Sequence, residues 1–312
     1  MSVEQDPRSR LEHLQEAEGH QPGGAIAGDG RTSNWRRMAR HPLIRIVVAS
    51  LAILLVVALT QSALRTLRGH VPLPLYYGLF ATGSVLVMLV TYRAFVRLVE
   101  RRAPREVAAA GAAGELVRGL LLGASLAAAI VGLLWLAGAY VVMGVTMSMA
   151  VAGALATDVA GGLLEELLFR AVLFRIGREL VGTWWALLLS SLLFGLVHAG
   201  TPITVAVAAL GGLLCGAAYM LTGRVWMAAG IHIAWDFVQD GVLGVSGGQT
   251  SVLQARLTGP VALTGGAVGI EGSLLTLVLV GVVAGTGLAF ALRHGQIPPR
   301  ASGLAQSIST GA

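Results

Sequence analysis

Gly161-Gly-Leu-Leu-Glu-Glu-Leu-Leu-Phe-Arg170 sets three charged side chains, Glu165, Glu166 and Arg170, inside a run otherwise apolar enough to cross a membrane. An ionisable group in hydrocarbon costs several kcal/mol or more, so such residues face a polar interior and carry a task. Two adjacent glutamates are worse, because like charges cannot both ionise comfortably away from water. Two later segments supply partners: Phe194-Gly-Leu-Val-His198 and His232-Ile-Ala-Trp-Asp236. In each, the first and last residues stand at i and i+4 and share one helix face.

The surrounding chain is that of a polytopic membrane protein. Of 312 residues, 55% are hydrophobic and 12% charged, against about 25% charged in soluble domains, and mean hydropathy is +0.75. All 22 basic residues are arginine. Together with abundant Ala, Gly and Leu, this usage matches a GC-rich bacterial genome, and the expected location is a bacterial inner membrane. The net charge of +6 lies largely in the tail and loops, so it reports topology and no nucleic-acid partner is expected. The single Cys215 excludes an internal disulfide framework and a CxxC site. The first forty residues lack an apolar run, so no secretory signal is expected.

Residues 1–41 read as a disordered cytoplasmic tail, 42–294 as the transmembrane domain, and 295–312 as a second disordered tail. Arg36, Arg37, Arg40 and Arg45 abut the first span and read as a topology anchor. The fold class is all-α. Eight spans of near bilayer length are expected at about 43–64, 73–95, 115–143, 147–176, 183–200, 202–221, 225–243 and 273–292. Arginines follow spans two, four, six and eight, while the loops after spans three and five have none. The positive-inside rule then puts both termini in the cytoplasm. Residues 244–272, with Gln249, Arg256 and Glu271, read as an external loop, and Gln239 and Asp240 as interfacial. The Gly pairs at 161–162 and 211–212 read as close helix packing.

Helix rise places Glu165, His198 and His232 at depths of roughly 15, 21 and 12 Å from the cytoplasmic side. They can therefore converge on one site, and the chemistry of that site is water activation. A carboxylate desolvated among apolar helices becomes a competent general base, and two imidazoles can orient the water or polarise a carbonyl. One Glu and two His are equally the ligand set of a catalytic zinc. Arg170, four residues after Glu166, can neutralise it and leave Glu165 free. Asp158, two turns before Glu165, either lines the cavity or is solvated at the far end of its helix. Taken singly, each histidine is an ordinary interhelical hydrogen-bonding group; the case rests on the three residues together.

Glu165-Glu-x-x-x-Arg170, Phe194-x-x-x-His198 and His232-x-x-x-Asp236, in this order on successive spans, resemble the motifs of the CPBP family, the CaaX-protease and bacteriocin-processing (Abi) intramembrane endopeptidases. The resemblance covers about 115–245. It implies an eight-helix membrane protease in which Glu165 activates water, His198 and His232 assist, Arg170 holds Glu166 and Phe194 walls the cavity. The implied partners are the lipid bilayer and a peptide or membrane-protein substrate, prenylated substrates included. The family has been described both with and without metal, so either no cofactor or zinc on Glu165, His198 and His232 is expected. One position departs from the pattern: Asp236 stands where the family usually has asparagine. An ionised carboxylate cannot donate to an oxyanion as an amide can, so Asp236 is protonated, orients His232 or helps hold a metal. A proton-coupled transporter and a non-catalytic immunity or scaffold protein are the alternatives. The first would show repeated halves, which the sequence lacks.

Overall fold

The computed structural model describes residues 41–245 and 251–296. The tail expected at 1–41 is thus outside the described residues except for its last position, as are Arg36, Arg37, Arg40, Gln249 and nearly all of 295–312. The described chain is a helical bundle with one small sheet. Its helices are α1 (Pro42–Arg65), α2 (Leu73–Phe95), α3 (Ala112–Leu136), α4 (Met149–Glu166), α5 (Arg175–Val197), α6 (Pro202–Thr222), α7 (Trp226–Asp236), the short α8 (Val261–Thr264) and α9 (Leu274–His294). Among the described residues, six helices are long and apolar enough to cross a membrane, one of them continuous from Met149 to Val197 over 49 residues. The protein is an all-α, multi-pass membrane protein; α1, α2 and α9 are the least buried of these spans, while α6 is more than half buried inside the bundle.

The expected count of eight spans is not matched by length and composition alone, for two reasons. The 49-residue helix merges expected spans four and five. It departs from helical geometry at Gly182 (φ 79°, ψ 171°), a left-handed conformation that glycine adopts without strain. A straight helix would set Glu165 and His198 about 50 Å apart; they lie 3.6 Å apart, so the chain doubles back at Gly182. Expected span seven is short, with eleven residues of α-helix followed by six of π-helix.

Expected span three ends early. Gly138 turns left-handed at φ 70° and the β-branched run that follows forms a strand, β1 (Tyr140–Val145). It pairs antiparallel with β2 (Leu253–Leu257), in register Tyr140↔Leu257 to Val145↔Leu253 with a bulge between Val142 and Gly144. This two-stranded sheet gives structure to part of the loop 244–272. It ties to the π-turn after α7 through Val252 N–H donating to the Gly241 carbonyl (2.9 Å) and Tyr140 O–H donating to the Leu243 carbonyl (2.7 Å).

Two features fix the helices around the site. α3 and α7 meet through glycines: a Cβ on Gly119 would fall 2.2 Å from the Met227 carbonyl oxygen, and one on Gly230 2.4 Å from that of Leu116. Backbones this close leave no room for side chains, the usual solution for helices that pack in lipid. At one end of the bundle, arginines read from the sequence as topology markers also carry ion pairs. Arg45 meets Glu100 and Glu179, Arg102 meets Glu100 and Glu106, Arg175 meets Glu100 at 2.9 Å, and Arg224 meets Glu115. Glu100 alone binds three arginines, so α1, α2 and the start of α5 are held at one point.

Candidate active site

Three polypeptide segments supply the site, and two share a local feature. The helix turns from α to π immediately after Glu166 (Leu167–Phe174) and again immediately after Asp236 (Phe237–Val242). Such π-segments shift the side-chain register and recur at functional sites. The third segment ends at His198, the C-cap of α5. Ala199 (φ 50°) and Gly200 (φ 107°) then turn left-handed and lead into Thr201, whose hydroxyl caps α6 by accepting from Thr204 N–H. Alanine is strained there by about 1–2 kcal/mol, so the turn that aims His198 is imposed by its surroundings.

The structure brings together Glu165, His198, His232 and Asp236, with Glu166, Arg170 and Phe194 behind them. Glu165 Oε2 stands 3.6 Å from His198 Nε2 and 4.0 Å from His232 Nε2. That oxygen is buried and has no hydrogen-bond partner among the described residues. Glu166 is fully buried. Its Oε2 lies 3.1 Å from Arg170 Nε, the pair expected from i, i+4 spacing, and its Oε1 lies 3.0 Å from His232 Nδ1. Arg170 also donates to the Gly212 carbonyl (3.0 Å) and sits over the Phe194 ring at 4.6 Å. This buried cation is therefore met on three sides, as a charge in a low dielectric requires.

Hydrogen-bond logic assigns the ring protons. His198 Nδ1 lies 2.7 Å from the Phe194 carbonyl, which can only accept, so Nδ1 carries a hydrogen and Nε2 faces Glu165. His232 Nδ1 likewise donates to Glu166, whose negative charge Arg170 holds. Its Nε2 faces Glu165 and, at 3.3 Å, Asp236 Oδ2. Asp236 is thus in reach to orient His232. Phe194 packs on both imidazoles, with ring centroids 4.5 Å from His198 and 5.4 Å from His232.

These groups border a cavity of about 50 Å³, lined by Phe194, His198, His232 and Asp236 together with Cys215, Trp235 and Glu271. That is room for ordered water. Glu271 is the functional neighbour that sequence reasoning missed. Placed in an external loop by hydropathy, it folds back on a 3₁₀ turn (Ile270–Gly272) and accepts from Trp235 Nε1 (3.0 Å) and Gln239 Nε2 (2.9 Å). Gln239, expected to be interfacial, is buried. No local pattern signals this contact, because it spans more than thirty residues. Asp158 has a buried Oδ2 without a hydrogen-bond partner among the described residues, and it is not one of the residues that line this cavity. Gly162 and Gly212 do pack closely, against Ile233 and Ser191, whereas Gly161 and Gly211 face open space.

Residues 147–238 match the family model of the Rce1-like proteins, described as type II CAAX prenyl endopeptidase Rce1-like. This is the family that the motifs resemble. No curated protein and no solved structure matches the chain. The Rce1-like segment encloses every residue from Glu165 to Asp236, while α1, α2, α3 and Glu271 lie outside it. Over these residues the match supports, at family level, a CAAX-protease-like intramembrane endopeptidase, a kind of peptidase that acts on a peptide or protein in the membrane.

Proposed function

We propose that the protein hydrolyses a peptide bond of a membrane-associated or lipid-modified substrate by water activated at Glu165. The observation that carries this is the buried Glu165 Oε2, without a partner among the described residues and faced by the Nε2 atoms of two histidines at 3.6 and 4.0 Å. A water bound between these three atoms can give its proton to Glu165 as it attacks. His198, its ring held by the Phe194 carbonyl at Nδ1, turns Nε2 to that water and holds it. His232, backed by Glu166 at Nδ1, presents Nε2 toward the charge that develops on the substrate carbonyl oxygen. Asp236 fixes the tilt of His232, and Glu165 then passes its proton to the leaving amine.

The same donors suit zinc. The ligating atoms of Glu165, His198 and His232 lie within 4.8 Å of one another, and each imidazole already donates its other N–H to an oxygen, the arrangement that orients metal-bound histidines. Zinc, when bound there, would act as Lewis acid and lower the pKa of water. His232 would then have to offer Nε2 without a proton, beside the Asp236 carboxylate. We place both termini in the cytoplasm of a bacterial cell, on the strength of the arginine distribution.

The test is cleavage of a diverse peptide pool, prenylated CaaX ends included, by purified wild type and Glu165→Gln, read by mass spectrometry with and without chelator. Products made by wild type and absent from the variant are expected. Cleavage by the variant at the wild-type rate overturns the assignment, and chelator sensitivity selects zinc.

A further inference from the structure

A second cavity, of about 470 Å³, lies between α1, α2 and α4, within the 300–1,000 Å³ typical of ligand sites. Its mouth is polar, formed by Gln61, Arg65, Arg68, Tyr76 and Tyr77; its base is apolar, running from Phe80 to Gly161 and Leu164 on α4. No acidic residue lines it. Arg65 and Arg68 have no ion pair or side-chain hydrogen bond among the described residues, unlike Arg45, Arg102, Arg170, Arg175 and Arg224.

The depth of this mouth follows from α1. Twenty residues separate Arg45 from Arg65, about 30 Å along the helix axis, the thickness of a bilayer's hydrocarbon core. Arg65 therefore stands at the headgroup level opposite the Arg45–Glu100 cluster, and Tyr76 and Tyr77 stand where interfacial aromatics anchor. A polar, doubly cationic mouth at phosphate depth over an apolar base has the profile of a phospholipid.

We propose that this cavity binds one anionic phospholipid, its phosphate between Arg65 and Arg68 and an acyl chain against the small residues Gly153, Ala160 and Gly161. A zwitterionic lipid fits less well, because its ammonium group finds no carboxylate there. The base of the cavity ends at Leu164, next to Glu165, so the bound lipid buttresses the helix that carries the proposed base. The site stands apart from the proposed hydrolysis and does not depend on it.

The experiment is native mass spectrometry of the purified full chain, titrated with phosphatidylglycerol or phosphatidylcholine, for wild type, Arg65→Gln/Arg68→Gln and the charge-keeping Arg65→Lys/Arg68→Lys. Wild type should retain one phosphatidylglycerol at least about tenfold more tightly than phosphatidylcholine, the Gln pair should lose that preference, and the Lys pair should keep most of it. Equal retention of both lipids by wild type overturns the proposal even if a variant fails to fold, as does an unchanged preference in the Gln pair. A third arm compares peptides ending in a carboxylate or an amide. Carboxylate-dependent binding that the Gln pair loses, with lipid preference unchanged, would make the cavity a peptide subsite and sink the lipid assignment.

Discussion

His232 Nδ1 and Glu166 Oε1, 66 residues apart in the chain, meet at 3.0 Å inside the bundle. Glu166 thereby joins two neighbours with one carboxylate, holding Arg170 through one oxygen and His232 through the other. The second glutamate of the motif thus does more than neutralise an arginine: it fixes the direction of an imidazole in the site.

Removing Glu166 should therefore damage fold and activity together. Glu166→Ala leaves Arg170 buried and unpaired, a loss of about 3–5 kcal/mol, and frees the His232 ring. Glu166→Gln keeps an acceptor for His232 Nδ1 but surrenders the ion pair. Thermal unfolding in detergent should rank wild type above Gln and Gln above Ala, and a stable Ala variant would contradict the buried pair.

Glu165 behaves oppositely, because among the described residues no other side chain depends on it for a hydrogen bond. Glu165→Gln should leave unfolding within about 0.5 kcal/mol of wild type while lowering turnover about 10²–10⁴-fold, the span of a lost general base. Circular dichroism melts beside the cleavage assay separate these two effects.

Asp236 can be tested against the amide usual at its position. Asp236→Asn can still accept from His232 Nε2 and can also donate to an oxyanion, so activity should stay within about tenfold of wild type. Asp236→Ala leaves His232 unoriented and should lose about 10–100-fold, as when a partner that orients a site histidine is removed. A steady-state comparison of kcat for the two variants checks this, and equal loss in both would argue against orientation.

Gly119 and Gly230 set how closely α3 approaches α7. Gly230→Ala puts a methyl against the Leu116 carbonyl and should destabilise by about 1–3 kcal/mol through overpacking. It should also reduce kcat, since His232 lies two residues on. Unfolding midpoints and cleavage rates of the purified variant are the readouts.

Glu271 closes the cavity from outside the Rce1-like segment. Glu271→Ala strands Trp235 Nε1 and the buried Gln239 amide, about 1–3 kcal/mol for each unsatisfied donor. Tryptophan emission should shift red as Trp235 gains water, and activity should fall. An unchanged spectrum would show that the turn at 270–272 does not seal the cavity.

Much of the site was legible because its information is local. Charges in an apolar run must face an interior, i and i+4 spacing sets a common face, and hydropathy marks the spans; these rules found Glu165, Glu166, Arg170, His198, His232 and Asp236. The misreadings share a different origin. The sequence at 137–143 is apolar enough to read as helix, yet its β-branched residues find β2 more than a hundred residues away. Hydropathy puts Glu271 and Gln239 at the surface because each is polar, but burial is acceptable once each satisfies the other. The π-turns after Glu166 and Asp236 have no composition signal.

Sequence alone determined that this chain lives in a membrane and which ionisable residues must be sheltered there, because hydrocarbon penalises every misplaced charge. Only the tertiary structure decided the pairings: that Gly182 returns His198 to Glu165, that Glu166 serves both Arg170 and His232, and that Glu271 reaches the cavity. Those choices depend on distances between segments far apart in the chain, and the packing of whole helices sets such distances where no local pattern can.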